Sequence, residues 1–336
     1  MEMEKNIQIL LASRPDGYPK ESDFEIIESE IPKPLEGEVL IKILWLSLDP
    51  YMRGRMRDEE SYATPVAIGD VIVGGAVGVV VNSRTPALNP GDYVEGSLGW
   101  QSYAVSDPRF LRVIDPSIAP VKSALGVLGM PSMTAYFGLL DVGKPVPGET
   151  VVVSAASGAV GQIVGQIAKI MGCRVVGIVG SEDKRSYIID DLGFDSAINY
   201  KKSNISEELK IFCPDGIDVY FDNVGGEITD SVLDQINIGA RISVCGQISQ
   251  YNLKEPQLSK RNMWILIRKQ ALMQGFLVFQ FANKHEEART RIAKWIEEGK
   301  IKYREDVVDS LENAPKAFIG MFHGENFGKL LVKVSE

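Results

Sequence analysis

The chain has 336 residues, with 45% hydrophobic and 24% charged residues, and 36 Lys and Arg against 45 Asp and Glu give a net charge of −9. This composition is typical of a globular protein with about two domains and excludes disordered and fibrous classes. The acidic balance disfavours a nucleic-acid backbone as main partner, and the longest apolar run, 71–81, is shorter than the roughly 20 residues of a membrane span. Because the N-terminal residues are also unlike a signal peptide, we expect a cytoplasmic protein with no membrane partner.

Cysteine and histidine are scarce. Cys173, Cys213 and Cys245 are about 30 to 40 residues apart, which fits neither a disulfide framework nor a zinc motif and suits a reducing compartment. His285 and His323 stand alone in segments with helical patterns. We therefore expect no catalytic metal and no Ser–His or Cys–His nucleophile.

Residues 1 to about 120 predict a β-rich domain. The run at 38–43 alternates polar and apolar side chains, as a half-buried strand does. The run at 71–81 contains three glycines and predicts a strand that bends, as in a small barrel. A Pro-Gly-Asp turn at 90–92 leads into a further strand at 93–96.

From about residue 123 the pattern changes to helices alternating with short buried strands, which is typical of a parallel α/β sheet. Strands are predicted at 150–153, 174–179, 197–200, 217–221, 240–245 and 274–279, and helices at 160–171, 284–298 and 311–321. Gly172 is placed to cap the first of these helices. Segments at 302–308 and 329–334 complete the chain.

The strand at 150–153 leads into a glycine-rich turn and directly into a helix. The turn, Ala156 to Gly161, is the dinucleotide fingerprint GxGxxG with alanine at its first glycine. Gly158 lets a pyrophosphate approach the backbone, Gly161 lets helix and strand pack closely, and the helix N-terminus offers amide donors. The alternative, a tight turn without a ligand, is disfavoured by the repeating βα pattern around it.

The end of the next strand favours NADP over NAD. An NAD-binding chain places an acidic residue about 20 residues past the fingerprint; here that position is Gly180. Lys184, shortly after it, can neutralise a 2′-phosphate. Two alternatives stay open: a register slip makes Glu182 the ligand of a ribose diol, or Lys184 is an ordinary solvated helix residue.

A hydride cofactor without a metal and with scarce histidine favours reduction of a conjugated C=C bond. Hydride adds to the β-carbon, and a hydrogen-bond donor at the carbonyl oxygen stabilises the enolate that forms. Tyr51 and Tyr251, which we expect in loops, are candidates for this donor. For either tyrosine, a packing role is an equally good interpretation.

Five further stretches carry a family resemblance. They are LDPYMR at 48–53, GMPSMTAYFG at 129–138, FDNVGG at 221–226, CGQISQYN at 245–252 and ENFGK at 325–329. Together with the fingerprint, they resemble the zinc-independent medium-chain dehydrogenase/reductases, above all the subgroup of leukotriene B4 12-hydroxydehydrogenase/prostaglandin reductase, alkenal double-bond reductase and curcumin reductase. The matching stretches span nearly the whole chain in the same order.

The resemblance implies an α/β fold of two domains and an activity. A GroES-like β-barrel catalytic domain takes residues 1–122, a Rossmann NADP-binding domain 123–300, and 301–336 return to the catalytic domain. The implied enzyme is a homodimer that uses NADPH to reduce α,β-unsaturated ketones or aldehydes. An NADPH quinone oxidoreductase of the same superfamily and an NADPH-binding protein without catalysis are the alternatives.

The resemblance also implies the site residues. The cofactor-binding set is Met130, Thr134, Gly158, Ala159, Val160, Gly161, Gln162, Gly180, Lys184, Tyr200, Asn223, Cys245, Gly246, Ile248, Tyr251, Phe276, Val278 and Asn326. In it, Gly158–Gln162 and Asn326 hold the pyrophosphate from two sides, Lys184 and Tyr200 hold the 2′-phosphate, and backbone groups at 276–278 orient the carboxamide. Tyr251 faces the substrate carbonyl and Tyr51 lies across the cleft. Some members carry a tyrosine where this chain has Arg268, so solvent or a cofactor ribose hydroxyl are further candidates for the proton donor.

Overall fold

The computed structural model describes residues 4–255, 257–258 and 263–336. Its contacts divide the chain into two units: the first takes the chain up to Gly126 with Glu305–Asn326 and Leu330–Glu336, and the second takes Val127–Arg304 and Phe327–Lys329. The domain limits given above, 1–122, 123–300 and 301–336, stay a proposal.

The strands are β1 (Asn6–Leu11), β2 (Phe24–Ser29), β3 (Val39–Ser47), β4 (Gly75–Ser83), β5 (Tyr93–Ser97), β6 (Tyr103–Ser106), β7 (Arg112–Ile114), β8 (Thr150–Ser154), β9 (Arg174–Val179), β10 (Ser196–Asn199), β11 (Ile217–Asp222), β12 (Ile236–Val244), β13 (Leu272–Gly275), β14 (Glu305–Asp309) and β15 (Lys329–Lys333). The α-helices are α1 (Tyr51–Arg55), α2 (Met130–Phe137), α3 (Gly161–Ile170), α4 (Glu182–Ser186), α5 (Ile205–Phe212), α6 (Gly226–Leu233), α7 (Trp264–Lys269), α8 (His285–Glu297) and α9 (Ala314–Phe322). In the ranges that the structure describes, no helix combines the length and the apolar character needed to cross a bilayer.

The first unit is built on antiparallel strands. β1 pairs with β2, and a seven-stranded sheet has the order β14-β15-β3-β4-β5-β7, with β6 paired to β3. Its core packs Trp100 and Phe318 edge to face, with ring centroids 5.5 Å apart, among aliphatic side chains of β1 and β3. The strand predicted at 71–81 begins later in the structure, since β4 starts at Gly75.

The second unit is a six-stranded parallel sheet in the order β10-β9-β8-β11-β12-β13. Counted from β8, this is the 3-2-1-4-5-6 order of dinucleotide-binding folds, whose ligands bind at the carboxyl ends of the strands where the order reverses. That reversal falls between β8 and β11. All five residues of β8 are buried, as expected for a central parallel strand covered on both faces.

Two predicted local structures are wrong. The strand predicted at 274–279 ends at Gly275, and Val278–Lys284 forms a 3-10 helix. The reason is tertiary: the Phe276 ring turns inward onto Gly138, at a place where a Cβ would overlap it. Tyr51 starts α1 instead of lying in a loop. The parallel α/β pattern, β9 and the end of α3 before Gly172 are confirmed.

The close packing of α3 at Gly165 predicts that a larger side chain there lowers stability. A Cβ on Gly165, buried in α3, would overlap the ring of Phe194. Gly165→Ala is therefore expected to lower the free energy of unfolding by about 1–3 kcal/mol through overpacking, measured by urea unfolding.

The control for this variant is Gly54→Ala in α1, where no atom of the described residues lies within 4 Å of the added carbon. There the better helix propensity of alanine leaves stability unchanged or raises it by up to about 1 kcal/mol. Equal effects of the two substitutions would contradict the packing argument.

Candidate active site

The turn from β8 to α3 is sterically constrained. Ala155 has a left-handed φ of +48°, and the Ala156 N–H donates to the carbonyl of Ile178 at 3.1 Å. A Cβ on Gly161 would overlap the Ala155 carbonyl oxygen and lie 2.8 Å from the Cα of Ala156. Glycine is thus required at 161, as the fingerprint predicts, whereas the positive φ falls one residue before the motif's first position.

The first turn of α3 offers amide donors. The hydrogen-bond ladder starts with the Gln162 N–H, which donates to the Gly158 carbonyl at 3.0 Å, and the Val160 carbonyl accepts the N–H groups of Ile163 and Val164 at 3.1 and 3.0 Å. The N–H groups of Ala159, Val160 and Gly161 precede the ladder and have no backbone acceptor in the described part of the chain. With the helix dipole, such amides form a site for a phosphate.

Gln162 is predicted as a cofactor contact, but its polar groups form hydrogen bonds within the protein. It is 2% exposed, and its Oε1 accepts both the Tyr187 hydroxyl and the Arg304 N–H at 3.0 Å. Its Nε2 donates to the Arg304 carbonyl at 3.2 Å, and its N–H donates to Gly158 at 3.0 Å. We therefore expect Gln162 to position the turn and its neighbours rather than bind a phosphate.

Gly180 and the two residues predicted for the 2′-phosphate, Lys184 and Tyr200, lie near the carboxyl end of β9. A Cβ on Gly180 would be 3.1 Å from Cε1 and 3.3 Å from the hydroxyl of Tyr200, so the ring covers a residue without a side chain. Ser181 caps α4 by accepting the Lys184 N–H at 3.3 Å. The Lys184 ammonium lies 5.9 Å from the centroid of the Phe327 ring.

Glu182, the alternative ligand for a ribose diol, is held by other groups. Its Oε1 accepts a hydrogen bond from the Asn199 side chain at 2.6 Å. The same carboxylate has ion pairs with Arg185 at 3.7 Å and Lys202 at 3.9 Å. These contacts favour a structural role for Glu182, and the role of Lys184 toward a 2′-phosphate stays a prediction.

Asp222, which the sequence reasoning missed, organises the end of β11. Its buried carboxylate accepts the Tyr220 hydroxyl and the Val224 and Gly225 N–H groups at 2.9 Å, and the Thr229 hydroxyl at 2.6 Å. An acidic residue directly after the apolar run Val219–Phe221 was the available signal. The next residue, Asn223, donates its side-chain NH₂ to the Ser154 carbonyl at 2.7 Å, which ties β11 to β8.

The loop after β12 packs on this corner. The N–H groups of Cys245 and Gly246 donate to the Asp222 carbonyl at 2.9 and 3.1 Å, and the Ile248 N–H donates to Asn223 at 3.2 Å. The Tyr251 hydroxyl accepts the Gln247 N–H at 3.2 Å. This tyrosine is therefore hydrogen-bonded to its own loop, and its role toward a substrate stays a prediction.

The remaining predicted contacts of the second unit lie on α2 and after β13. The Thr134 hydroxyl donates to the Met130 carbonyl at 2.8 Å. The Phe276 ring packs edge to face on Phe221 with centroids 6.2 Å apart. The Val278 carbonyl lies 3.2 Å from Nε2 of His285, so one of the backbone groups expected to orient a carboxamide already has a partner.

Tyr51 and Asn326 belong to the first unit. Tyr51 is half-buried against the core of that unit. Burial, and to a smaller extent the Asp49 carboxylate, raises the pKa of the Tyr51 phenol above its usual value. The phenol thus keeps its proton at any physiological pH, and its predicted role, like that of Asn326, stays a prediction.

Comparisons with known proteins place the chain in a family. Residues 7–114 match a family model described as the N-terminal domain of oxidoreductase, and residues 159–298 match one described as zinc-binding dehydrogenase. The NADPH-dependent curcumin reductase of Escherichia coli is 45% identical, covering 99% of this chain and 98% of the relative. The 2-alkenal reductase (NADP(+)-dependent) of Nicotiana tabacum is 46% identical, covering 98% of each. The crystal structure of CurA in complex with NADPH from Vibrio vulnificus aligns with a TM-score of 0.94 and 47% identity, over 98% of this chain and 99% of that one.

The chain belongs to the medium-chain dehydrogenase/reductase superfamily. Within it, the chain falls in the subgroup of prostaglandin, 2-alkenal and curcumin reductases, which confirms the resemblance read from the motifs. The fold is that of a GroES-like domain with a Rossmann domain, also as expected. The name of one family model mentions zinc, but the described residues bring no three His, Cys, Asp or Glu side chains together as ligands.

The cysteines give a prediction that depends on pH. Burial raises the pKa of Cys173 to about 11 and that of Cys213 and Cys245 to about 12. Since the thiolate is the nucleophile, we expect all three to react with iodoacetamide at pH 7.5 about 10² to 10³ times more slowly than an ordinary exposed thiol.

Peptide mapping by mass spectrometry measures this labelling, and the urea-unfolded protein is the control in which all three react. For half-exposed Cys245, the rate should still rise about tenfold per pH unit near pH 9–10, where an ordinary thiol approaches its plateau. A rate that levels off at pH 9–10 would show that the Cys245 thiol has an ordinary pKa.

Proposed function

We propose that the protein reduces the C=C bond of α,β-unsaturated ketones and aldehydes with NADPH. One observation carries the proposal: over nearly its full length the chain is 45% and 46% identical to enzymes named for curcumin and 2-alkenal reduction with NADPH. The cofactor turn and the residues after β9 support it, because they are those that the cofactor requires.

The residues fit NADPH. Ala159, Val160 and Gly161 present amides at the start of α3 for the pyrophosphate. Gly180 leaves room where a diol-binding carboxylate stands in NAD enzymes, and Lys184 and Tyr200 supply a charge and a hydroxyl for the 2′-phosphate.

When bound, NADPH supplies the hydride that adds to the β-carbon of the substrate. The contribution of the protein is a hydrogen-bond donor at the carbonyl oxygen, where negative charge develops. Tyr51 and Tyr251 are the candidates, since each phenol carries a hydroxyl that can donate to this oxygen. Arg268, exposed on α7, has no phenol to offer.

Likeness to quinone oxidoreductases is a likeness of fold alone. Two solved quinone oxidoreductases align with TM-scores of 0.78 and 0.76 at 22% and 20% identity. We therefore treat quinone reduction as an alternative that the activity test distinguishes. The homodimer and the cytoplasmic location stay predictions.

The proposed function is tested by following NADPH oxidation with a set of acceptors. We expect turnover with a medium-chain 2-alkenal and the saturated aldehyde as product, identified by mass spectrometry. The saturated aldehyde of the same length is the matched control and should give no turnover. Oxidation with a quinone alone would favour the quinone reductase, and tight NADPH binding without any turnover would favour a non-catalytic protein.

Removing the phenol of Tyr51 tests the proton-donor role. Tyr51→Phe should lower kcat for a 2-alkenal about 10²- to 10³-fold, the effect of deleting one donor to a developing oxyanion. NADPH affinity should not change. Tyr93→Phe, at another half-buried tyrosine of the first unit, is the control and should retain full activity. If Tyr51→Phe keeps its activity and Tyr251→Phe loses it, the donor is Tyr251.

A further inference from the structure

We propose that Arg304 is a second cation for the 2′-phosphate of NADPH, held in place by Gln162 and Phe327. The inference rests on the proposed function, since it concerns the same cofactor. Arg304 is not among the residues that the family motifs point to.

Two glutamines on α3 fix the backbone around Arg304. Gln166 accepts the Lys302 N–H and donates to the Lys302 carbonyl, both at 2.8 Å. Gln162 does the same for Arg304, at 3.0 and 3.2 Å. Residues four apart on a helix are about 6 Å apart along its axis, nearly the repeat of two residues in an extended chain. The two side chains therefore act like a neighbouring strand and set the register that puts Arg304 beside the first turn of α3.

The side chain of Arg304 lies on an aromatic ring. Its Cζ is 4.0 Å from the centroid of the Phe327 ring, and the Tyr187 ring meets Phe327 edge on at 5.0 Å. The Lys184 ammonium is 5.9 Å from the same centroid. Two cations thus lie within 6 Å of the centroid of one ring, and we infer that both contact the same phosphate. Their mutual repulsion is relieved when a dianion binds between them.

The backbone after Phe327 places its ring next to the fingerprint turn. The Gly328 N–H donates to the Ser157 carbonyl at 3.1 Å, and Gly328 forms a parallel bridge with Gly158. Gly328 has a φ of +73°, and a Cβ there would overlap the Arg304 carbonyl oxygen. Only glycine permits this close passage of the chain between Arg304 and the fingerprint.

Arg304 keeps its donors available. It is exposed, and in the portion of the chain with described coordinates no carboxylate forms an ion pair with its guanidinium. A planar guanidinium binds a phosphate through two parallel N–H bonds. The 2′-phosphate is favoured over the pyrophosphate because the second cation on the ring, Lys184, follows Gly180 at the end of β9, whereas the amides of α3 already serve the pyrophosphate.

The test measures cofactor binding, not activity. Dissociation constants for NADPH and NADH are determined by calorimetry for the wild type, Arg304→Gln, Arg304→Lys and Lys184→Gln. We expect Arg304→Gln and Lys184→Gln each to weaken NADPH about 10- to 100-fold, the effect of one charge-assisted hydrogen bond, with NADH changed less than about twofold. Arg304→Lys should recover part of the loss.

Arg291→Gln is the matched control. Arg291 is also exposed and lies over an aromatic ring, with its Cζ 4.9 Å from the Trp295 centroid. This variant should bind both cofactors like the wild type. Thermal unfolding of each variant without cofactor separates lost binding from lost folding, and Phe327→Leu, which keeps both cations, should give a smaller loss of NADPH affinity.

The other outcomes overturn the inference in distinguishable ways. Equal weakening of NADPH and NADH by Arg304→Gln would place the side chain at the pyrophosphate. No change in either would exclude a contact of Arg304 with the cofactor. A wild type that binds NADPH no better than NADH would contradict the proposed function itself, whereas a preserved preference with an unaffected Arg304→Gln variant would contradict this inference alone.

Discussion

The steric limit at the turn between β8 and α3 determines where the functional groups of the second unit lie. Because Gly161 has no side chain, the helix can start directly against the Ala155 carbonyl, and its first amides lie at the carboxyl end of the central strand. Ala155 itself is held at a positive φ, a conformation that costs a non-glycine residue about 1–3 kcal/mol and persists only where packing enforces it. The buried strands on either side, β9 and β11, supply that packing and end at the same edge.

The second unit is completed by a distant part of the chain. Gln162 and Gln166 bind residues 302–304, and Gly328 pairs with Gly158, so residues from the C-terminal end lie along the fingerprint. Both glutamines are buried, and an unpaired buried amide is costly, so these contacts fix the returning chain in one register. The same register sets the positions of Arg304 and Phe327, which links a packing requirement to the proposed cofactor contact.

The sequence predicts what depends on local pattern and fails where partners are far apart. β8, β9 and α3 follow from apolar runs bounded by glycines, and the fingerprint identifies the cofactor turn. The error at 276–279 arises because Phe276 packs on Gly138, which lies between α2 and β8 and is far from Phe276 in the sequence. The periodicity of the sequence does not reveal such a contact. The position of Arg304 cannot be predicted for the same reason, because its partner Gln162 is 142 residues away in sequence.

A protein with a net charge of −9 binds a highly anionic cofactor in this proposal, and the arrangement explains how. Charges farther away than about 8–10 Å are largely screened at physiological salt, so the overall acidity opposes binding little. The amides of α3 suit the pyrophosphate without any charged side chain, and this part of the site serves NADH and NADPH alike. Only the 2′-phosphate requires cations, which are concentrated at the Phe327 ring in Lys184 and Arg304. In this proposal, affinity for a dinucleotide and preference for NADPH are carried by different groups, so a substitution can change one without the other.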